Sequence, residues 1–231
     1  MRPLDTQPVL IDQVYERLVE AIADGTLPPG QRIRQEELAE MLGVSRQPIS
    51  HALQLLKRQH LVEEGDGKRG LVVSGIDADR ILSLYQVRTA LDALAARLAA
   101  IRVAQGTAGR SDRDAARRAL DTGRSLDADA PVSAYIQADV EFHTAVYRLS
   151  GNEAVEETVG AQWPDLKRSM GVVLGDPGQH APVWSEHAEI LRLILDGDAD
   201  GAEAAARAHT DRAGAETARR LARTAADADA A

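Results

Sequence analysis

Apolar residues recur at helical spacing through the first third of the chain. In residues 10–24, Val14, Leu18, Val19 and Ile22 fall three to four apart, which predicts one helix. Gly25 ends it, and Pro28-Pro29-Gly30 makes a turn. Residues 35–42 predict a second, short helix with Leu38, Met41 and Leu42 inward, followed by a tight Gly43-Val44-Ser45 turn. Ser45 suits the N-cap of a third helix running to about His60. Pro48 is tolerated there because its missing N–H lies in the first turn. Leu61–Glu64 and Leu71–Val73 predict two short strands of a hairpin with a glycine-rich tip. Residues 1–9 carry two prolines and are expected to form a flexible arm. Three helices followed by a hairpin, over residues 10–75, is the winged helix-turn-helix arrangement. In that arrangement the third helix enters the major groove of DNA and the hairpin tip reaches the adjacent backbone or minor groove.

From residue 76 to 231 the pattern is helical throughout, so the fold class is mainly α: a small winged domain, then an all-α bundle. Ser74-Gly75 suits the junction and Asp77 the cap of the next helix. Three apolar stripes here carry polar residues. Residues 131–150 turn Val132, Ile136, Asp139, Val140, His143, Val146 and Tyr147 to one side. Asp139 and His143, four apart, stack on that face. Residues 182–196 align Trp184, His187, Ile190, Leu191 and Ile194, and residues 201–224 align Ala202, Ala205, Ala206, His209 and Ala213. The polar turn at 196–201 makes the last two helices an antiparallel pair. His187 and His209 are equidistant from its centre, so both lie ~16 Å along their helices at one level. Three histidines and one carboxylate are a donor set for Zn, first among Ni, Mn and Fe(II). The same residues also fit three unrelated core histidines with Asp139 paired to one of them. Arg88 falls on a further stripe with Ile81, Leu84, Tyr85 and Leu91 and needs an anion, either Asp92 four residues on or the carboxylate of a ligand.

Composition narrows the chemistry. The 231 residues contain no cysteine, which excludes disulfides, thiolate nucleophiles and thiolate metal sites. No apolar run reaches the roughly 18 residues of a membrane span and no signal-peptide core is present, so a cytoplasmic protein with no membrane partner is expected. The net charge of −9 divides into −2 for residues 1–75 and −7 for residues 76–231. Within the first part, residues 41–62 hold Arg46, Lys57 and Arg58 and no acid, and the hairpin tip adds Lys68 and Arg69. Such a local basic surface suits phosphate contact.

The run Gly30-Gln-Arg-Ile, Glu37-Leu38-Ala39, Leu42-Gly43-Val44-Ser45-Arg46-Gln47-Pro48-Ile49, then Ala52-Leu53 resembles the GntR family of bacterial transcription regulators over about residues 10–73. The second recognition-helix arginine and the glutamate of that family are replaced by Ser50 and His51. A serine can donate to a base edge or a phosphate but lacks the bidentate grip on guanine. The resemblance implies a DNA role for Arg34, Ser45, Arg46, Gln47, Ser50, His51, Lys68, Arg69 and Gly70. Without it, Arg46 is simply a solvated residue at a helix start. The pattern Asp139-x3-His143, Ser150-Gly151-Asn152, Glu186-His187-x2-Ile190, Gly197-Asp198, Ala202 and His209 resembles the FCD domain over about residues 77–222. That resemblance implies an all-helical effector domain holding a divalent metal on Asp139, His143, His187 and His209, beside a pocket for a small carboxylate. Arg88 and Asn152 are its candidate effector contacts, Asn152 also suiting a helix cap.

The expected function is a metabolite-responsive transcription regulator, a homodimeric repressor bound to a pseudo-palindromic double-stranded operator and responsive to a small organic acid. Two other readings use the same histidines. One is a metal-dependent enzyme, which needs an open coordination position and a general base. The other is a regulator for which the metal itself is the signal. The spacing does not give the effector, the metal, the operator or the sign of the response.

Overall fold

The computed structural model describes residues 8–65 and 70–229. The chain divides into two compact units, residues 1–76 and 77–231.

In the first unit, α1 (Pro8–Ala23), α2 (Gln35–Leu42) and α3 (Arg46–Arg58) pack with β1 (Arg32–Ile33), β2 (Val62–Glu64) and β3 (Leu71–Val73). Helix α1 begins inside the segment expected to be a flexible arm, because a proline with its fixed φ suits the first turn of a helix. Residues 1–7 lie outside the described residues. The sheet has three strands, not the two of a simple hairpin. The order is β1-β3-β2, all antiparallel, with Arg32 opposite Val72 and Val62 opposite Val73. Val14, Leu18 and Ile22 of α1 meet Ile49, Leu53 and Leu56 of α3 in the core, which Leu38, Leu61 and Val73 close. Met41, expected inward, is 72% exposed. Helix α2 is only two turns long and packs on one narrow face, where Leu38 is buried as expected and Ala39 takes the place of Met41. Ser45 stands at the N-cap of α3, but its side chain makes no capping hydrogen bond.

The second unit is wholly helical: α4 (Ala78–Ala104), α5 (Arg110–Arg124), α6 (Val132–Ser150), α7 (Glu153–Gly160), α8 (Trp163–Leu174), α9 (His180–Asp196) and α10 (Ala199–Asp229). Asp77 caps α4, its carboxylate accepting from the backbone N–H groups of Asp79 and Arg80 at 3.0 Å each. The 27-residue α4 lies at the centre, against α6, α9 and above all α10. Close approach there depends on Gly214, where a Cβ would sit 2.8 Å from the Cβ of Tyr85. Val132, assigned to the inward stripe of α6, is instead 38% exposed, since it stands at the helix's first residue, beyond the neighbouring helices. Tyr135, Ile136 and Val140 of α6 pack on Met170 and Leu174 of α8. Among the described residues, no helix is long and apolar enough to cross a membrane.

Candidate functional site

The interior of the helical unit is polar at one level. His143 of α6, His187 of α9 and His209 of α10 are all buried, and one ring nitrogen from each lies within 4.8 Å of the other two. The Nε2 atoms of His187 and His209 stand 3.1 Å apart. At that distance the two rings share a hydrogen bond, and the same spacing also suits two nitrogens each ~2.1 Å from one ion at a near-right angle. Asp139 stands at the rim of this group, with Oδ1 3.5 Å from His187 Nε2 and Oδ2 3.7 Å from His143 Nε2.

Carboxylates orient the rings from behind. Glu186 accepts from His209 Nδ1–H at 2.7 Å, which leaves the lone pair of this imidazole on Nε2. Arg212 pairs with the same carboxylate. Asp92, one helix away on α4, accepts from the hydroxyl of Thr210 at 2.7 Å and from that of Tyr147. Its Oδ2 is 3.6 Å from His143 Nδ1 and 3.3 Å from Arg88 Nε. Arg88 is fully enclosed. Its guanidinium lies over the Trp163 ring, 5.1 Å from the centroid, and 3.9 Å from Asp139. Arg88 Nε and His143 Nε2 are buried without a hydrogen-bond partner.

The electrostatics follow from burial. Desolvation, reinforced by the charge of Arg88 and by the neighbouring imidazoles, holds His143 well below the ordinary histidine range. Desolvation and His209 do the same to His187. Burial raises the pKa of Asp139 while Arg88 opposes the rise. Desolvation works against the Arg88 charge too, but Asp92, Tyr147, Tyr85 and Asp139 outweigh it and hold the guanidinium ionised. Neutral imidazoles with free lone pairs are what a divalent ion needs, and an unpartnered buried His143 nitrogen is costly without a cation. The donor set therefore fits a divalent ion of the Zn, Ni, Mn or Fe(II) type.

A narrow cavity opens beside this cluster, lined by Tyr85, Arg88, Asp139 and His209, by threonines of α10 and by apolar residues of α8. Asn152 is not part of it. It stands at the N-cap of α7, half-buried, and its side chain makes no capping hydrogen bond. Glu186, Asp92, Tyr147 and Thr210 were not assigned to the site from the sequence. The available signals were Glu186 adjoining His187, Asp92 one turn after Arg88, Tyr147 one turn after His143, and Thr210 adjoining His209.

In the winged unit, α3 buries Pro48, Ile49, Ala52, Leu53 and Leu56. Arg46, Gln47 and His51 are exposed on its other face, with Ser50 half-exposed beside them. Arg46 pairs with Glu36 at 3.0 Å and Arg34 with Glu37 at 2.8 Å, both pairs in solvent. Gly70 is exposed at the start of β3, while Lys68 and Arg69 lie outside the described residues.

Known proteins share both units. The profile of the bacterial regulatory proteins of the gntR family matches residues 10–72, and that of the FCD domain matches residues 83–212. An HTH-type transcriptional regulator in an unstable DNA locus of Streptomyces ambofaciens is 31% identical over 201 residues, covering 85% of this chain and 80% of that protein. A protein of Paenarthrobacter nicotinovorans, named as a D-xylose utilization operon transcriptional repressor, is 26% identical, covering 88% and 87%. The crystal structure of a GntR transcriptional regulator from Rhodococcus sp. RHA1 superposes with a TM-score of 0.75 at 25% identity, covering 90% of this chain and 96% of that one. The helix-turn-helix unit, the helical unit and these relatives agree: the chain belongs to the GntR family, as a DNA-binding transcription regulator with an FCD domain, and is not an enzyme.

Proposed function

We propose that the protein is a metabolite-responsive repressor whose helical unit binds a divalent metal and a small carboxylate. The observation that carries this reading is the meeting of three buried imidazoles at one level, with Arg88, Asp139 and His209 lining the cavity beside them. His143, His187 and His209 would hold the ion, with Asp139 as the adjoining carboxylate. Bound there, the ion supplies a Lewis-acidic anchor for carboxylate oxygens. Arg88 supplies a second, charge-assisted anchor. Glu186 fixes the tautomer and orientation of His209, and Asp92 neutralises Arg88 while facing His143. Asn152, at the start of α7, belongs to the effector set only through its place in the FCD pattern.

In the DNA-binding unit, Arg46, Gln47, Ser50 and His51 would face the major groove, with Ser45 at the start of the helix and Arg34 on the phosphates. Lys68, Arg69 and Gly70 would form the wing. The exposed pairs of Arg46 and Arg34 with Glu36 and Glu37 are worth only ~0–1 kcal/mol each, so phosphates can replace the glutamates. A homodimer would present two such helices to a pseudo-palindromic operator. The acid shifts DNA affinity by as much as its own affinity differs between the DNA-bound and free arrangements. The repressor sign follows the name of the Paenarthrobacter relative.

The test is fluorescence anisotropy of DNA fragments flanking the gene, titrated with the metal-loaded protein and with organic acids. A palindromic fragment bound at moderate salt and released by an acid supports the reading, as does loss of that release on chelation. Binding that follows metal concentration alone, with no response to any acid, would instead make the metal the signal.

A further inference from the structure

The cavity beside the histidines runs along α10 from His209 past Ala213 to Thr217, ~12 Å at 1.5 Å per residue. Its lining is buried except at two residues. Val183, in the first turn of α9, and Ala213 of α10 are half-exposed. The way in from solvent therefore lies between these two. A second cavity on the other side of His143, bounded by Asp92, Phe142 and Tyr147, is lined by buried residues throughout and offers no such opening.

Ion pairs tie α10 to the α9 side of that opening at two places. Glu186 of α9 pairs with Arg212, next to Ala213. About 12 Å farther along α10, Arg220 donates to Asp176 at 2.7 Å and to the Val172 carbonyl at 3.3 Å. Asp176 precedes the 3₁₀ turn Pro177–Gln179, which leads straight into α9. Its other oxygen accepts from the Gly178 N–H at 3.0 Å, so the pair with Arg220 holds the whole turn onto α10. On the far side, His180 Nε2–H donates to the Leu174 carbonyl at 2.7 Å and the ring stacks on Tyr135. The start of α9 has no side-chain cap of its own: Gln179 stands at the N-cap without a capping hydrogen bond, and residues 181 and 182 are exposed. An uncapped first turn opens more readily than the rest of a helix, so these contacts decide whether it stays closed.

We infer that residues 176–179 and the first turn of α9 form a gate over the cavity, latched by the Asp176–Arg220 pair, through which a divalent ion reaches and leaves the histidines. The ion passes between Val183 and Ala213 while the pair is broken. This rests on the proposed metal reading of the three histidines. The two ion pairs have different parts. Glu186 also holds His209 Nδ1, so its loss changes how tightly the ion is bound. Asp176 touches no proposed ligand, so its loss changes how fast the ion moves in both directions and leaves the equilibrium alone.

Asp176→Asn tests it, because the amide keeps an acceptor for Gly178 and removes the charge that Arg220 meets. The probe is Zn²⁺, followed by stopped-flow loading of the metal-free full chain and by release to excess chelator. Both rates are expected to rise roughly three- to fivefold, the effect of losing one partly exposed ion pair, with Kd unchanged. The gain should shrink at high salt, where the wild-type pair is screened as well. In the metal-free protein, hydrogen exchange of the amides of residues 178–184 should quicken in the variant while that of α4 stays as in wild type. Equal rates in wild type and variant, faster release accounted for by a weaker Kd, or unchanged exchange at residues 178–184 would overturn the gate alone. Failure of the wild-type chain to bind Zn²⁺ would overturn the metal reading and the gate with it.

Discussion

Asp92→Asn probes the electrostatic frame of the helical unit without touching a proposed metal ligand. Asp92 is 3% exposed, and its Oδ2 lies 3.3 Å from the Nε of an equally buried Arg88. The amide keeps nearly the same shape but removes the charge. The next carboxylate, Asp139, stands 3.9 Å from the guanidinium, and burial pushes its own pKa up, so it is a poor substitute counterion. Removing one partner of a buried ion pair costs about 3–5 kcal/mol, because the other charge stays behind uncompensated. At about 2–4 °C per kcal/mol for a unit of this size, the midpoint of thermal unfolding should fall by roughly 6–20 °C. The diagnostic step is the double variant Arg88→Met/Asp92→Asn, which removes both charges and should recover part of the loss. A coupling of about 1–3 kcal/mol is expected from equilibrium denaturation of the full chain. If Asp92→Asn stays within about 1 kcal/mol of wild type, or if the two substitutions simply add, Asp92 is not the counterion of Arg88.

Three more expectations follow from the same geometry. Glu186→Gln removes the acceptor charge behind His209 and should lower metal affinity about 10–100-fold in a competitive chelator titration; an unchanged affinity would show that the 2.7 Å contact does not orient the ligand. Gly123→Ala should destabilise by about 1–3 kcal/mol despite the better helix propensity of alanine, because a Cβ there overlaps the Trp184 indole, whose ring stands 4.9 Å from that of His187; a gain in denaturation midpoint would refute this packing. His143 and His187 have folded pKa values below the ordinary 6.5, so the unfolded chain takes up their protons first as pH falls. The stability of the metal-free protein should therefore be level above pH ~6.5 and decline below it at up to about 2.7 kcal/mol per pH unit for the two groups; a flat profile from pH 6.5 to 5 would contradict it.

Much of the arrangement was legible where periodicity alone governs position. The turn at residues 196–201 mirrors His187 onto His209, and the structure has their Nε2 atoms 3.1 Å apart. Heptad-like spacing likewise put Asp139, His143 and Arg88 on buried faces. The residues behind the rings were not legible, because the packing of other helices sets their environment. Glu186 lies off the apolar stripe of α9 and reaches His209 only because α10 passes beside it. Asp92 was legible as a neighbour of Arg88, but its bonds from Tyr147 and Thr210 join three helices far apart in sequence. Met41 and Val132 were misplaced for the opposite reason: each has the right spacing on its own helix, but no neighbouring element covers it. Strand β1 has only two residues, too few for any alternation, and exists because Arg32 and Ile33 pair with β3.

The central claim is that three buried histidines from three helices form one metal site. It is tested most directly by calorimetric titration of Zn²⁺ into the metal-free full chain, beside His187→Ala. The account predicts one high-affinity ion per chain in the wild type and its loss in the variant, whose unfolding temperature then no longer responds to the ion. An absent high-affinity site, or one that His187→Ala leaves intact, would contradict it.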